Sequence, residues 1–131
     1  MKGFMKYLTK LIALLCIALC AGANAAGKFY TQQEFDALAE QGKPMVVHIH
    51  ADWCGTCKAQ DVQLEAAMRS PEFKDVTFFE VNFDVQRKTV KFFNAKVQST
   101  IILYQHGRET ARAVAARDPA ELQEFLRRAL H

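Results

Sequence analysis

The sequence predicts an α/β protein, a three-layer α/β/α sandwich around a mixed central sheet. Three observations carry that expectation. From residue 28 onward, short apolar runs rich in Val, Ile and Phe alternate with segments of helical spacing, the pattern of βαβ units with parallel pairing. The last two strand-like runs are separated only by His106-Gly107, which turns them into an antiparallel hairpin at one edge. Roughly 105 residues remain once a leader is set aside, enough for one domain with one core.

The leader is expected over residues 1–25, with the folded domain over 26–131. Lys2, Lys6 and Lys10 form a positive start, Leu11 to Leu19 is an unbroken apolar run, and Ala23-Asn24-Ala25 supplies small side chains for cleavage. The apolar run is far short of the roughly 20 residues that span a bilayer. Leu15 and Leu19 precede Cys16 and Cys20 where a lipidation site needs a small residue. The expected location is therefore periplasmic or otherwise exported, with no stable membrane insertion after cleavage. The formal net charge of +3 belongs wholly to these three lysines, so the domain is near neutral and nucleic acid is not an expected partner.

Each element has its own signal. A short strand is expected at Lys28–Tyr30. Thr31 and Glu34 form a capping box, Tyr30 can staple onto Phe35, and Gly42 before Pro44 ends the helix. Met45 to Ile49 reads as a buried strand and Gly55 to Arg69 as a helix with Leu64, Ala67 and Met68 inward, stopped at Ser70-Pro71. Val76 to Phe83 is a second buried strand. Val85, Thr89, Phe92 and Phe93 have helical spacing. Thr100 to Tyr104 and Glu109 to Ala115 make the hairpin. Asp118 caps the last helix with Pro119 at its first position, and Leu122, Phe125, Leu126, Ala129 and Leu130 mark its apolar face. Phe73, Phe78, Phe79, Phe83, Phe92 and Phe93 are expected in the core, and Arg108, Arg112, Arg117, Arg127 and Arg128 on a solvated face.

The chemistry concentrates at Cys54-Gly55-Thr56-Cys57, directly after a buried strand and at the mouth of a helix. Of four cysteines, these two alone lie beyond the leader. Free backbone N–H groups and the helix dipole favour an anion there, and the thiolate is the reactive form of cysteine. Cys54 is the expected nucleophile, and Cys57, one turn deeper, the resolving thiol. Gly55 admits a substrate backbone and Thr56 adds a small polar surface. An inert staple is disfavoured, because so short a loop removes little entropy from the unfolded chain. Zinc usually takes four ligands, and the near candidates are His48 and His50. A copper or zinc carrier built from the Cys pair and a histidine is the alternative reading.

Ala51-Asp52-Trp53-Cys54-Gly55-Thr56-Cys57-Lys58 resembles the active-site signature of the thioredoxin superfamily, and the resemblance extends over roughly residues 28–130. The Ala-Asp-Trp-Cys form is similar to the periplasmic electron-donating domain of the membrane reductase DsbD. The resemblance implies a thioredoxin-like sandwich, Trp53 covering the nucleophile and Lys58 near the buried end of the pair. Two positions depart from the family. His48 stands where a buried Asp helps deprotonate the resolving thiol, and a histidine is able to relay a proton or to serve as a hydrogen-bonded core residue. Ser99, before Thr100, stands where the family has a cis-proline. A cis bond to a non-proline residue costs about 2.5–4 kcal/mol, so the Gln98–Ser99 peptide is expected to be trans. Ser99 and Thr100 are then the expected substrate-side residues, Ser99 through its backbone and with its hydroxyl near the sulfurs.

The expected function is an exported thiol–disulfide oxidoreductase acting on protein thiols and disulfides, as a monomer, with no cofactor beyond the Cys54–Cys57 disulfide and no metal ligands assigned. Gly-Thr between the cysteines resembles reducing members, which makes a membrane thiol electron donor the expected partner. A disulfide oxidase or isomerase is the variant reading.

Overall fold

The computed structural model describes residues 27–131, so the leader expected at 1–25 lies outside the described residues. Strand β1 is Lys28–Phe29, followed by helix α1 (Gln32–Glu40) and strand β2 (Met45–His50). Helix α2 (Gly55–Arg69) leads through a 3-10 turn at Pro71–Phe73 to β3 (Thr77–Asn82) and α3 (Arg87–Phe92). The hairpin β4 (Thr100–Gln105) and β5 (Arg108–Val114) precedes α4 (Pro119–Arg127). The sheet order is β1-β3-β2-β4-β5. β3 runs parallel to both β1 and β2, whereas β4 is antiparallel to β2 and to β5. This is the mixed sheet that the order of elements predicts.

Local chemistry sets the ends. The Thr31 hydroxyl accepts the Glu34 N–H at 3.3 Å, but the Glu34 carboxylate pairs with Lys28. Half of the capping box is therefore made. Gly42, at φ +69°, lets its own N–H reach the Ala39 carbonyl and that of Lys43 the Leu38 carbonyl, closing α1. His106 and Gly107 both have positive φ (51° and 73°), the two-residue turn whose twist matches a hairpin. Asp118 caps α4 by accepting the Glu121 N–H at 2.9 Å.

The sheet separates two cores. On one face, Val46, Phe78, Ile101 and Leu103 meet Leu64 and Ala67 of α2 and Leu122 and Leu126 of α4. On the other, Val47, Ile49, Phe79, Val81 and Ile102 meet Phe35 of α1, with Val90 and Phe93. Tyr30 stacks near Phe35 with centroids 5.7 Å apart, the staple the sequence predicts.

Three expectations are corrected. Phe92 is 55 % exposed and Val85 75 %, whereas Val90 is buried. α3 is six residues long, too short for repetition to fix its phase, and the exposed Phe92 reaches the core by the edge-to-face contact of its ring with Phe35. Phe83 is half-buried and lies between the core and the site, packing against the Phe35–Phe79 cluster on one side and against Ala51, Cys54 and Cys57 on the other. Arg112 is not merely solvated: it pairs with Glu109 and donates to the Phe93 carbonyl at 2.8 Å.

Candidate active site

The end of β2 delivers the chain into α2 through Ala51-Asp52-Trp53, and Cys54 is the N-cap of that helix. Its Sγ accepts the backbone N–H of Cys57 at 3.0 Å, and its carbonyl accepts the N–H of Lys58 at 3.2 Å. A sulfur in that position takes up one of the orphan donors of a 15-residue helix and lies at the positive end of its dipole. Cys54 and Cys57 are joined as a disulfide, with Cα atoms 5.2 Å apart. Cys54 is 4 % exposed and Cys57 fully buried. The outer sulfur is the one that solvent and substrate reach, which is the asymmetry that exchange requires.

Around the pair the residues divide. A Cβ at Gly55 would meet nothing within 4 Å, so the space beside the disulfide is open. Trp53 is 64 % exposed and donates its indole N–H to Asp84 at 2.8 Å, which pins the ring beside the nucleophile. Lys58, next to Cys57 in the first turn of α2, is exposed. Thr56 is half-buried in the first turn of α2.

The Ser99 segment is built differently from the expectation. No cis peptide occurs among the described residues, so Gln98–Ser99 is trans. Ser99 instead adopts φ +56°, a left-handed conformation that a side chain disfavours. Its hydroxyl donates to the Gln98 carbonyl at 2.6 Å and not to the sulfurs. Its carbonyl accepts the Ala115 N–H at 2.9 Å and the Gln60 carboxamide at 3.1 Å. Both lone pairs of that carbonyl are taken, so it is not available to a substrate strand. Thr100 is 1 % exposed, with its hydroxyl on the Val97 carbonyl at 2.9 Å, so its side chain closes the turn and does not face a substrate.

Beneath α2 lies a polar group that hydrophobic patterning does not disclose. His48 is 1 % exposed and donates from Nε2 to Gln60 Oε1 at 2.9 Å. Gln60, fully buried, donates to the carbonyls of Ser99 and Ala116. His50 Nε2 donates to Asp61 Oδ2 at 3.1 Å, and His48 Nδ1 lies 3.4 Å from Asp61 Oδ1. Glu80 pairs in register with His48 across β2 and β3 and sits 4.0 Å from His50 Nδ1. The bond to Asp61 raises the pKa of His50 against the opposing effect of burial. Burial pushes the Asp61 carboxyl up, but its two histidine neighbours outweigh it and hold the group well below the usual carboxylate range. Burial raises Glu80.

Gln60, Asp61 and Glu80 are residues of the site that a reading of the sequence misses. The signals exist: Gln60 and Asp61 fall three and four residues after Cys57, and His48 and His50 share one face of a strand. Both histidines direct their hydrogen bonds to Gln60 and Asp61, and the sulfurs are bonded to each other. The alternative of a metal held by the cysteine pair finds no support in that arrangement.

A sequence profile described as thioredoxin matches residues 27–128. The chain belongs to the thioredoxin family. Thioredoxin-1 of Saccharomyces cerevisiae is 29 % identical over 99 residues, covering 76 % of this chain and 93 % of that protein. The thioredoxin of Chlamydia pneumoniae is 30 % identical over 99 residues, covering 76 % and 90 %. Among solved structures, that of Trxlp from Edwardsiella tarda EIB202 superposes with a TM-score of 0.72 at 35 % identity, covering 76 % of this chain and 98 % of that one. Malassezia sympodialis thioredoxin (Mala s 13) superposes at 0.71 with 20 % identity over 85 % and 99 %, a likeness of fold. Membership, together with the capped Cys54–Cys57 disulfide, makes this chain a thioredoxin-like thiol–disulfide oxidoreductase that works on protein thiols and disulfides without a separate cofactor.

Proposed function

We propose that this family member is an exported, monomeric reductase of protein disulfides. The observation that carries the chemistry is the hydrogen bond from the Cys57 N–H to Cys54 Sγ at the opening of α2. In the reduced protein the same donor holds a Cys54 thiolate. That thiolate attacks one sulfur of a substrate disulfide, forming a mixed disulfide and releasing one substrate thiolate, which takes up a proton. Cys57, losing its proton, then attacks Cys54 Sγ, and the second substrate thiol leaves. Two electrons have passed to the substrate and the Cys54–Cys57 disulfide is restored.

The flanking residues support the sequence. Gly55, Trp53 and Thr56 form the surface that a substrate strand meets, and the Ser99 segment lies on its far side. Lys58 adds positive charge at the rim. His48 acts through Gln60 as a positioning residue, since its Nε2 holds the carboxamide that fixes Ser99.

Direction and location rest on sequence. Gly55-Thr56 between the cysteines supports reduction, the 1–25 leader supports export, and Ala51-Asp52-Trp53-Cys54 supports kinship with the electron-donating domain of DsbD. A reductase outside the cytoplasm is re-reduced by a membrane thiol carrier. Equilibration of the Cys54–Cys57 couple with a glutathione buffer tests the direction. A potential near the thioredoxin value of about −270 mV is expected, and one near the about −120 mV of a strong oxidant overturns it.

A further inference from the structure

The polar cluster beneath α2 has a deficit that disulfide exchange does not explain. Its members come from three elements: His48 and His50 from β2, Glu80 from β3 and Asp61 from α2. The hydrogens of this cluster are counted from Gln60. Both hydrogens of its amide go to the Ser99 and Ala116 carbonyls, so Oε1 faces His48 and His48 Nε2 must be a donor. The Nδ1 of a neutral His48 ring is then a lone pair, 3.4 Å from an Asp61 oxygen that is itself an acceptor. His50 repeats the pattern. Its Nε2 donates to Asp61, leaving Nδ1 3.7 Å from Asp52 Oδ1 and 4.0 Å from Glu80 Oε1.

His48 Nδ1, His50 Nδ1 and Asp61 Oδ1 are thus buried with no hydrogen-bond partner. A buried acceptor left unpaired has lost its water and gained nothing in return, which opposes folding. No Lys or Arg among the described residues forms an ion pair with Asp61 or Glu80. Acceptors converge there from three sides and a cation is what completes them. His50, Asp61 and Glu80 each offer a ligand atom within 4.8 Å of the other two. Metal–ligand bonds of about 2.0–2.2 Å need only modest side-chain closure from that spacing.

We propose that His50, Asp61 and Glu80 form a binding site for one divalent transition-metal cation, zinc in the first instance, separate from the redox cysteines. One imidazole and two carboxylates suit zinc, whereas calcium and magnesium favour oxygen alone. Three protein ligands would leave a fourth position for water, and His48 Nδ1, 3.4 Å from Asp61 Oδ1, is an unpaired acceptor next to the ligand set. The site needs no thiol. It sits under the helix that carries Cys57 and joins α2 to two strands.

The test uses the full chain with the disulfide intact, stripped by a chelator and then titrated with Zn2+ in equilibrium dialysis. One ion per chain is expected. Glu80→Gln and Asp61→Asn keep side-chain shape and are each expected to weaken binding at least about 10-fold. A Cys54→Ser/Cys57→Ser chain is expected to bind as the wild type does. Loaded with Co2+, the oxidised wild type is expected to show d–d bands with no thiolate charge-transfer band. Failure of the oxidised wild type to bind near one equivalent overturns the proposal, as does binding that disappears with the cysteines. Stoichiometry and the cobalt spectrum need no variant, so they test the site even where a substituted chain folds poorly. Insulin reduction reads the disulfide chemistry independently.

Discussion

The buried carboxamide of Gln60 joins Ser99 to His48: it donates to the Ser99 carbonyl at 3.1 Å and accepts from His48 Nε2 at 2.9 Å. One side chain on the cysteine helix therefore holds the segment opposite the disulfide and a strand histidine at once. Its third bond, to the Ala116 carbonyl at 3.0 Å, ties in the end of the hairpin.

Removing that carboxamide leaves His48 Nε2 and the Ala116 carbonyl unpaired and the Ser99 carbonyl with the Ala115 N–H alone. With those two groups unpaired at about 1–3 kcal/mol each and partial relaxation of the loop, Gln60→Ala is expected to lower stability by about 3 kcal/mol. Urea denaturation followed by far-ultraviolet circular dichroism measures this. A loss under about 1 kcal/mol means the three bonds do not hold the loop.

Ser99 gives a second expectation. At φ +56° it occupies backbone space where proline, locked near −65°, does not fit. Ser99→Pro, although it restores the residue usual in relatives, is expected to destabilise this chain by about 1–3 kcal/mol. Ser99→Gly relieves the left-handed strain but loses the bond to the Gln98 carbonyl, so it is expected to stay within about 1 kcal/mol of wild type. Thermal unfolding of the three proteins side by side ranks them. A Ser99→Pro chain more stable than wild type means that the segment readily takes another path.

The parts that sequence reveals and the parts that it hides differ in kind. Cys54 at a helix opening, the His106-Gly107 turn and the Asp118-Pro119 start of α4 are local signals, and a few adjacent residues specify each. The Gln60–His48–Asp61–Glu80 group is not local. Patterning assigns polar residues to the wet face, and what buries Glu80 is the register that sets it against His48 across two parallel strands. Likewise Ser99 is identifiable as the residue in the proline's place, but its left-handed backbone depends on Gln60, 39 positions away. Apolar neighbours point Phe92 inward, but a helix of six residues is too short for periodicity to choose between Phe92 and Val90.

Trp53 and Asp84 supply a third prediction. The indole hydrogen bond is between exposed groups, so Asp84→Ala is expected to change stability by less than about 1 kcal/mol. Its effect falls on order. Trp53 is the single tryptophan of the chain, so its emission reports on this ring alone. Asp84→Ala is expected to lower steady-state fluorescence anisotropy and to slow insulin reduction, because the ring no longer lies fixed beside Cys54. Unchanged anisotropy means the pin does not restrain it.

The cysteines carry the most decisive expectation, because their asymmetry makes the two serine variants fail differently. Cys54→Ser removes the accessible sulfur, and Cys57, fully buried, has no route to a substrate. Insulin reduction with dithiothreitol is then expected to fall to the rate of dithiothreitol alone, with no adduct. Cys57→Ser leaves Cys54 at the helix opening with the backbone N–H of residue 57 still aimed at its sulfur. Attack proceeds and release does not, so a mixed disulfide accumulates at one equivalent. Mass spectrometry of the intact chain distinguishes the outcomes: one substrate adduct on Cys57→Ser, cleaved by excess thiol, and none on Cys54→Ser. If the adducts appear in the opposite pattern, Cys57 is the attacking sulfur and the order of the exchange reverses.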